Sequence, residues 1–258
     1  MSRDRVRVVS LFPDVVDHEA AVERVAALVQ RDRGGYVCFS TVHMIMESHD
    51  SPEFGAIVNA ADVIVPDGMP IVWMQELQGR KMATRVRAND LMMLLCRYAE
   101  SKGLSVGFYG GKQEVINAIK KRASTDFQSL RIAYAYAPPF RPLTPEEDES
   151  ITADINAAAP DILFIGLGCP KQENWMAAHR EKIKAVMLGV GASFDFFAGN
   201  VKESPQWLGR LGLEWLFRLT QEPKRLWRRY LILNPRFIWH AGRQLLNPKK
   251  SDGPSPTN

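Results

Sequence analysis

The sequence predicts an α/β fold, in which a mainly parallel β-sheet is flanked by helices and followed by a helical appendage at the C-terminal end. Two observations carry this prediction. Up to about residue 200, short apolar and β-branched runs alternate with longer helix-like stretches, as in repeated βα units. Beyond Pro205, apolar residues recur at helical spacing instead. We therefore predict an α/β core over residues 1–200, a helical appendage over 201–248 and a disordered tail over 249–258.

Seven segments have the length and composition of strands in such a sheet. Two of the helices between them begin at clear signals, Ser51 with Pro52 and Thr144 with Pro145, because a hydroxyl can cap a helix and proline needs no partner in the first turn. Glu147 adds a capping box to Thr144. In the appendage we expect three short helices, broken at Pro223 and Pro235. The predicted strands span residues 6–11, 36–40, 63–65, 105–109, 131–136, 162–165 and 186–190.

Size and cysteine content indicate a protein that folds without covalent or metal cross-links. A chain of 258 residues with 46% apolar side chains can bury about three quarters of its extended surface. The three cysteines, Cys38, Cys96 and Cys169, include no C-x-x-C pair, which favours a reducing compartment and argues against structural zinc. The charged N-terminus and the lack of a long uncharged apolar run argue against secretion and a spanning helix. We expect a cytoplasmic protein.

Charge is unevenly distributed along the chain. The net charge is +4, but residues 206–250 hold ten basic and two acidic side chains, so the first 205 residues are net −3 once Asp252 is counted. Four of the six tryptophans also lie in this basic segment. Basic and aromatic residues together favour an anionic partner, which can be a nucleic acid, a phosphorylated substrate or an anionic membrane surface.

Candidate ligand-binding residues follow the strands, because ligands of parallel sheets bind beyond the carboxyl ends of the strands. Two glycine clusters there allow close backbone approach and free N–H groups, which suit a phosphate. Neither cluster is a known motif, since Gly107–Lys112 has the wrong spacing for a P-loop and 166–168 lacks the third glycine of a dinucleotide fingerprint. Ordinary strand-to-helix turns are the alternative. The polar and glycine residues in these positions are Thr41, His43, Asp67, Gly68, Gly110, Gly111, Lys112, Gly166, Gly168, Pro170, Lys171, Gln172, Gly191, Ser193 and Asp195.

Asp67 and Arg85 have the chemistry of a catalytic pair. An apolar strand delivers Asp67 to the sheet edge, where partial burial can raise its pKa toward that of a general base; a turn or helix-cap role is the alternative. Arg85 lies in the basic stretch after it and can neutralise a leaving phosphate; a solvated loop charge is the alternative. Asn89 or Asp90 can cap the next helix.

No metal site is expected. His43 and Glu47 are four residues apart and can share a helical face, but one such pair is more often a hydrogen bond than a metal site. The chain contains no H-E-x-x-H motif.

In their order and spacing, several motifs resemble the WecG/TagA/CpsF family of bacterial glycosyltransferases, over nearly the whole chain from about residue 9 to 239. These motifs are STVHM at 40–44, VPDG at 65–68, FYGG at 108–111, GLGCPKQE at 166–173, GVGASFDFFAG at 189–199, GLEWLFRL at 212–219 and EPKR at 222–225. The resemblance implies a compact Rossmann-like α/β fold, distinct from the common glycosyltransferase folds. It also implies inverting, metal-independent transfer of a hexose from a UDP-sugar to a saccharide on a polyprenyl diphosphate, in exopolysaccharide or cell-wall polymer synthesis.

The resemblance also assigns roles to residues. Asp67 corresponds to the proposed general base of the family, Thr41 and Gln172 to polar active-site residues, and Arg85 to the arginine on the phosphate side. The basic end corresponds to a membrane-targeting appendage that supplies arginines to the active site. With the residues after the strands, this predicts substrate contacts from His43, Asn89, Gly110, Gly111, Gly168, Lys171, Asp195, Arg218, Arg225 and Arg228.

The donor sugar stays open at this point. His43 stands where family members that make wall teichoic acid commonly have Asn, so both N-acetylmannosamine and glucose are candidates. We expect no cofactor and no nucleic-acid partner, docking of residues 206–250 on the inner face of the plasma membrane, and a possible homo-oligomer. Two rival functions are a nucleotide-dependent Rossmann oxidoreductase, which the missing third glycine weakens, and a nucleic-acid module, which the acidic body weakens.

Overall fold

The structure is a computed structural model that describes residues 4–31, 33–201 and 203–247. Six strands in these residues form one sheet in the order β2-β1-β6-β5-β3-β4, and every adjacent pair is parallel. The predicted α/β fold with a parallel sheet is therefore confirmed. The strands are β1 (Gly35–Ser40), β2 (Val63–Pro66), β3 (Ser105–Gly110), β4 (Arg131–Tyr136), β5 (Ile162–Gly166) and β6 (Val186–Gly189).

The prediction of a strand over residues 6–11 is wrong. Val9 has a positive φ of 58°, and the backbone reverses there, so that Val8 and Leu11 hydrogen-bond to each other at 2.8 and 3.2 Å. Both side chains are fully buried. The apolar run reflects this buried turn and not a strand of the sheet.

Helices cover both faces of the sheet, and their starts follow the predicted signals. Ser51 accepts a hydrogen bond from the N–H of Phe54, and Thr144 and Glu147 form the capping box. Packed on one face are α1 (His18–Val29), α5 (Ala88–Lys102), α6 (Gln113–Asp126) and α9 (Ser193–Phe197). Packed on the other are α2 (Val42–Asp50), α3 (Pro52–Asn59), α4 (Met69–Leu77), α7 (Pro145–Ala158) and α8 (Lys171–His179).

The core consists of two apolar layers, one on each side of the sheet. Successive residues of β1 alternate between them: Val37 and Phe39 pack under α1 and α5, whereas Tyr36 and Cys38 pack under α2 and α3. Both sets are buried, as expected for strands of a parallel sheet with both faces covered. Because helices cover both faces of the sheet, the polar residues that follow the strands lie at its carboxyl edge.

The connections change face at β6, at the carboxyl edge of the sheet. The strand β6 leads to α9 on one face, while its neighbours β1 and β5 lead to α2 and α8 on the other. Ligands of open α/β sheets bind where neighbouring connections diverge in this way. This topology therefore predicts a ligand crevice above the ends of β1, β6 and β5.

The C-terminal segment forms three helices, α10 (Gln206–Arg210), α11 (Glu214–Gln221) and α12 (Pro223–Leu246). A break at Pro223 is confirmed, because this proline begins α12. The break predicted at Pro235 is wrong, because α12 is 24 residues long and continues through this proline to Leu246. Buried apolar residues on both sides of Pro235, Leu226 and Phe237, hold the helix against the protein. Packing therefore outweighs the hydrogen bond that the proline cannot make.

Polar contacts fix the second half of α12 to the core. The side chain of Gln244 accepts the N–H of Val9 at 2.7 Å and donates to the carbonyl of Arg7 at 2.7 Å. Arg236 binds both oxygens of Asp50 on α2, at 2.9 and 2.5 Å. The boundary near residue 200 stays a prediction, and the tail predicted at 249–258 lies outside the described residues. Among the helices that the structure describes, none has the length and apolar character needed to cross a membrane.

We expect Phe237→Ala to lower the free energy of unfolding by about 3–5 kcal/mol, because it leaves a cavity where α12 meets the core. Urea denaturation followed by circular dichroism measures this change. The neighbouring residue provides a matched control: Ile238 is 68% exposed, and Ile238→Ala should change stability by no more than about 0.5 kcal/mol. Equal effects of the two substitutions would contradict the docking of α12.

Candidate active site

Thr41 and Asp67 lie side by side at the edge of the sheet, after the paired strands β1 and β2. The N–H of Asp67 donates to the carbonyl of Ser40 at 3.0 Å. Thr41 caps α2 by accepting the N–H of Met44 at 3.3 Å. Asp67 does not cap α4, whose N-cap residue is Gly68 with no side-chain bond. The cap role considered for Asp67 at the start of α4 is therefore excluded.

Arg85 lies against Asp67. Its Nε donates to the backbone carbonyl of Asp67 at 2.7 Å, and one terminal nitrogen lies 3.8 Å from the Asp67 carboxylate. The same nitrogen donates to Glu214 of α11 at 2.6 Å. The structure thus brings together the predicted base, the predicted phosphate-side arginine and an acidic residue that the sequence reasoning missed.

The environment of Asp67 makes its carboxyl group more basic than usual. The side chain is 19% exposed, and burial raises its pKa to about 6, with a further increase from the negative charge of Glu214. Arg85 and Arg87 oppose this increase, as does a hydrogen bond from the N–H of Ala88. Such a carboxylate is ionised at neutral pH and still a better proton acceptor than an ordinary aspartate.

Asn89 makes a different contact from the one predicted. The helix α5 begins at Ala88 with Arg87 as its N-cap residue and no side-chain cap, so the predicted cap by Asn89 or Asp90 is wrong. Asn89 instead donates to Glu203 at 2.6 Å, and Arg87 binds the other oxygen of Glu203 at 3.0 Å. Acidic residues after position 200 thus hold the loop that carries Arg85 and Arg87.

The side-chain amide of Gln172 forms hydrogen bonds within the protein. It is buried in the first turn of α8, where its carbonyl oxygen accepts the N–H of Gly168 at 3.1 Å. Its amide nitrogen donates to Glu173 and to the carbonyl of Gly189, both at 2.8 Å. These bonds tie the loop after β5 to the end of β6, so Gln172 shapes the crevice wall.

Glu173, a second residue missed by the sequence reasoning, is fully buried beside Gln172. Burial raises the pKa of its carboxyl group to about 6, and its Oε2 atom has no hydrogen-bond partner among the described residues. The sequence does hold a signal for Glu173, because this residue ends the GLGCPKQE motif directly after Gln172.

The glycines after the strands serve close packing more than anion binding. Gly110 has a φ of +118°, and a Cβ there would lie 2.6 Å from the carbonyl carbon of Gly166. The N–H of Gly111 donates to the Gly166 carbonyl at 3.0 Å and that of Gly191 to the Ile165 carbonyl at 3.1 Å. The prediction that the two clusters offer free N–H groups is therefore wrong for Gly111 and Gly168.

Lys171 and Asp195 lie at opposite sides of this glycine region. Lys171 is exposed at the start of α8, with its amino group 5.9 Å from the ring centre of Phe140. Asp195 lies in α9 and is partly buried. Both follow strands at the carboxyl edge, as predicted, and their contacts with substrate stay predictions.

His43 lies on α2 within reach of the appendage. Its Nε2 atom is 3.4 Å from Glu47, one helical turn along, as the spacing predicted. Burial lowers the pKa of the imidazole to about 4, and the nearby positive charge of Arg229 lowers it further. His43 is therefore neutral at neutral pH.

Two of the three appendage arginines predicted to contact substrate have described side chains, and their contacts with substrate stay predictions. Arg218 lies with its guanidinium 5.5 Å from the ring centre of Phe196, near the crevice, but Arg228 is exposed and lies over the ring of Trp227 at 5.8 Å. Arg229 acts electrostatically on His43 and Cys169 instead. Arg225 is in α12, and its side chain lies outside the described part of the structure.

A family model described as the glycosyl transferase WecG/TagA/CpsF family matches residues 6–251. The chain belongs to the WecG/TagA/CpsF family. The resemblance stated from the motifs is thus confirmed, and membership in this glycosyltransferase family does not favour the rival oxidoreductase.

Two relatives carry the same name, N-acetylglucosaminyldiphosphoundecaprenol N-acetyl-beta-D-mannosaminyltransferase. The relative from Bacillus spizizenii is 34% identical over 212 residues, which cover 81% of this chain and 79% of the relative. The relative from Bacillus subtilis is 33% identical over 202 residues, or 78% of this chain and 75% of the relative. Their name describes transfer of an N-acetylmannosaminyl group to a lipid-linked N-acetylglucosamine.

In this WecG/TagA/CpsF chain, helical spacing could have indicated that Arg229, and not Arg228, lies on the protein-facing side of α12. Leu226 and Leu233 face the protein from α12, and residue 229 lies three residues after one and four before the other, on the same face. Arg228 follows Trp227 on the outer face. The contact of Glu214 with Arg85 spans 129 residues, and no local pattern in the sequence points to it.

We expect the imidazole of His43 to titrate near pH 4 in the folded protein, because burial and Arg229 both disfavour its protonation. Arg229→Gln should raise this midpoint, and Arg228→Gln should leave it unchanged. NMR titration of the labelled histidines measures both. Because the unfolded imidazole has a higher pKa, near 6.5, His43 stabilises the fold less as the pH falls from 6.5 toward 4. A His43 midpoint near 6.5 would contradict this placement.

Proposed function

We propose that this chain transfers a hexose from a UDP-sugar to a saccharide linked to a polyprenyl diphosphate, with inversion, in exopolysaccharide or cell-wall polymer synthesis. The observation that carries the proposal is the partly buried Asp67 carboxylate at the crevice edge, with Arg85 beside it. Family membership supports the reaction class. The names of the relatives support a lipid-diphosphate acceptor and favour N-acetylmannosamine over glucose.

In this mechanism, Asp67 takes the proton of the acceptor hydroxyl. The hydroxyl oxygen bonds to the anomeric carbon on the face opposite the diphosphate, and the bond from this carbon to the diphosphate oxygen breaks. UDP leaves with the electron pair, so a single displacement inverts the configuration. A base of raised pKa suits the first event, and a cation near the departing oxygen suits the last.

We assign the counter-charge for the diphosphate to arginines. Arg85 and Arg218 lie near the crevice, and Arg229 lies beside His43. Guanidinium groups bind phosphate oxygens in a fixed, forked geometry and stay charged at all relevant pH values. With this positive charge, we propose that transfer proceeds without a protein-bound metal.

The outer face of α12 supports binding to an anionic membrane surface. Its docked face is buried, whereas six large apolar residues that are each at least 45% exposed face away from the core, among exposed basic residues that include Lys224, Arg228 and Arg243. Tryptophan favours the membrane interface, and each nearby cation adds about 1 kcal/mol on an anionic leaflet. We therefore propose a peripheral location at the cytoplasmic face of the plasma membrane. The apolar residues are Trp227, Leu231, Ile232, Ile238, Trp239 and Leu246.

We expect Asp67→Asn to lower turnover by a factor of about 10² to 10⁴, the usual contribution of a general base. The amide keeps the shape of the side chain and an oxygen for the Ala88 N–H, so the folded structure should persist. The assay follows UDP release with a short-chain lipid-diphosphate N-acetylglucosamine acceptor and UDP-N-acetylmannosamine or UDP-glucose. Thermal melting checks folding.

Asp126→Asn is the control for this assay, because Asp126 pairs with Arg122 on the surface of α6, and it should keep full turnover. Wild-type turnover in Asp67→Asn would refute the base assignment.

The wild-type reaction is repeated with excess EDTA. Complete loss of turnover, restored by magnesium or manganese, would refute the metal-independent mechanism.

We expect the full chain to co-sediment with vesicles that contain anionic phosphatidylglycerol, and less so at high salt, which screens the attraction. Replacing both Ile238 and Trp239 by Gln should weaken this binding at least tenfold without changing the melting temperature much. Leu77→Gln is the matched control, because Leu77 is equally exposed, at 68%, but lies on α4. Unchanged vesicle binding by the double variant would contradict the proposed surface.

A further inference from the structure

The guanidinium of Arg85 is shared between the core and the appendage. Its Nε holds the backbone carbonyl of Asp67 at 2.7 Å, while one terminal nitrogen donates to Glu214 at 2.6 Å and stays 3.8 Å from the Asp67 carboxylate. Glu214 also lies 3.9 Å from Arg87. These side chains are mostly buried, so the contacts are weakly screened by solvent.

We propose that Glu214 is a positioning residue for the transfer reaction, which holds Arg85 off the Asp67 carboxylate and so leaves that carboxylate able to accept the proton of the acceptor. The proposal rests on the function proposed above, since it assumes that Asp67 is the base. It adds a role for the appendage that is separate from binding phosphate or membrane.

The competition for a single nitrogen of Arg85 is the physical reason. A guanidinium pairs most strongly with a carboxylate when the two are in hydrogen-bonding contact. With Glu214 present, the Asp67 carboxylate stays beyond that distance. Glu214 and Asp67 are the carboxylates within 4 Å of Arg85 among the described residues. Without the charge of Glu214, contact between Arg85 and Asp67 would stabilise the ionised carboxylate and so lower the pKa of Asp67.

The charges around Asp67 act in the same direction. The groups that face its carboxyl are Arg85, Arg87, Glu214 and the N–H of Ala88, and of these only Glu214 raises its pKa. Removal of the negative charge of Glu214 therefore lowers the pKa of Asp67 for two reasons. The repulsion between the two carboxylates is lost, and Arg85 is released to approach Asp67.

The helix that carries Glu214 gives this contact a second consequence. The helix α11 belongs to the appendage and contacts α12, so the basicity of Asp67 depends on the appendage being in place. A core whose appendage is displaced would hold a weaker base, with Arg85 paired to it.

The test is the pH dependence of kcat/KM for the full chain, which reports the pKa of the free base. Wild-type activity should rise with a midpoint near pH 6. In Glu214→Gln, the midpoint should move down by about one pH unit, the usual effect of contact with an opposite charge, and the plateau rate should fall several-fold because the base is weaker. The same variant labelled for carboxyl NMR gives the Asp67 pKa without any turnover.

Glu203→Gln is the matched control. Glu203 also binds this loop from beyond position 200, but through Arg87 and Asn89 and not through Arg85. If Glu214 only anchored the appendage, both variants would lower the rate and neither would move the midpoint, and that result would overturn the proposal. The same midpoint in Glu214→Gln and wild type, by kinetics or by NMR, would also overturn it.

The outcome for Asp67→Asn separates a failure of the base assignment from a failure of the proposal for Glu214. If that variant loses turnover and Glu214→Gln keeps the wild-type midpoint, the base assignment stands and the proposal for Glu214 is wrong. If Asp67→Asn keeps wild-type turnover, the proposed base is wrong, and the proposal for Glu214 fails with it.

Discussion

Asp67 lies at the end of a strand where burial opposes ionisation of its carboxyl group and the guanidinium of Arg85 favours it. The fold supplies the burial, because the strand before it is covered on both faces and ends in a crevice. The loop before α5 supplies the arginine, and the appendage supplies the carboxylate of Glu214, which binds that arginine. Three distant parts of the chain therefore set the basicity of one side chain.

The sheet and its edge could be predicted from the sequence because their determinants are local. Runs such as residues 63–65 are apolar, β-branched and bounded by turn residues, and the carboxyl edge follows from the parallel order. The run at 6–11 has the same composition, but Val9 turns the backbone there. Composition alone does not separate a buried turn from a strand.

The parts of the candidate site that the sequence did not reveal depend on tertiary contacts. Pro235 does not end α12, because buried residues on both sides hold the helix, and this packing is invisible in a local pattern. Gly111 has its N–H occupied by the neighbouring strand end. Arg228 and Arg229 are adjacent in sequence, and only the rotation of the docked helix decides which of them approaches His43.

The same rotation of α12 also decides which side chains lie on its outer side. A straight helix of 24 residues is about 36 Å long, and its docked side places Arg229 beside His43, while its opposite side presents Trp227 and Trp239. A surface that binds the outer side would thus lie about one helix diameter, roughly 10–12 Å, from the side chains that face the protein. Because Gln244, Arg236 and Phe237 fix the far end of α12 to the core, the outer side of the helix keeps a constant position relative to the core.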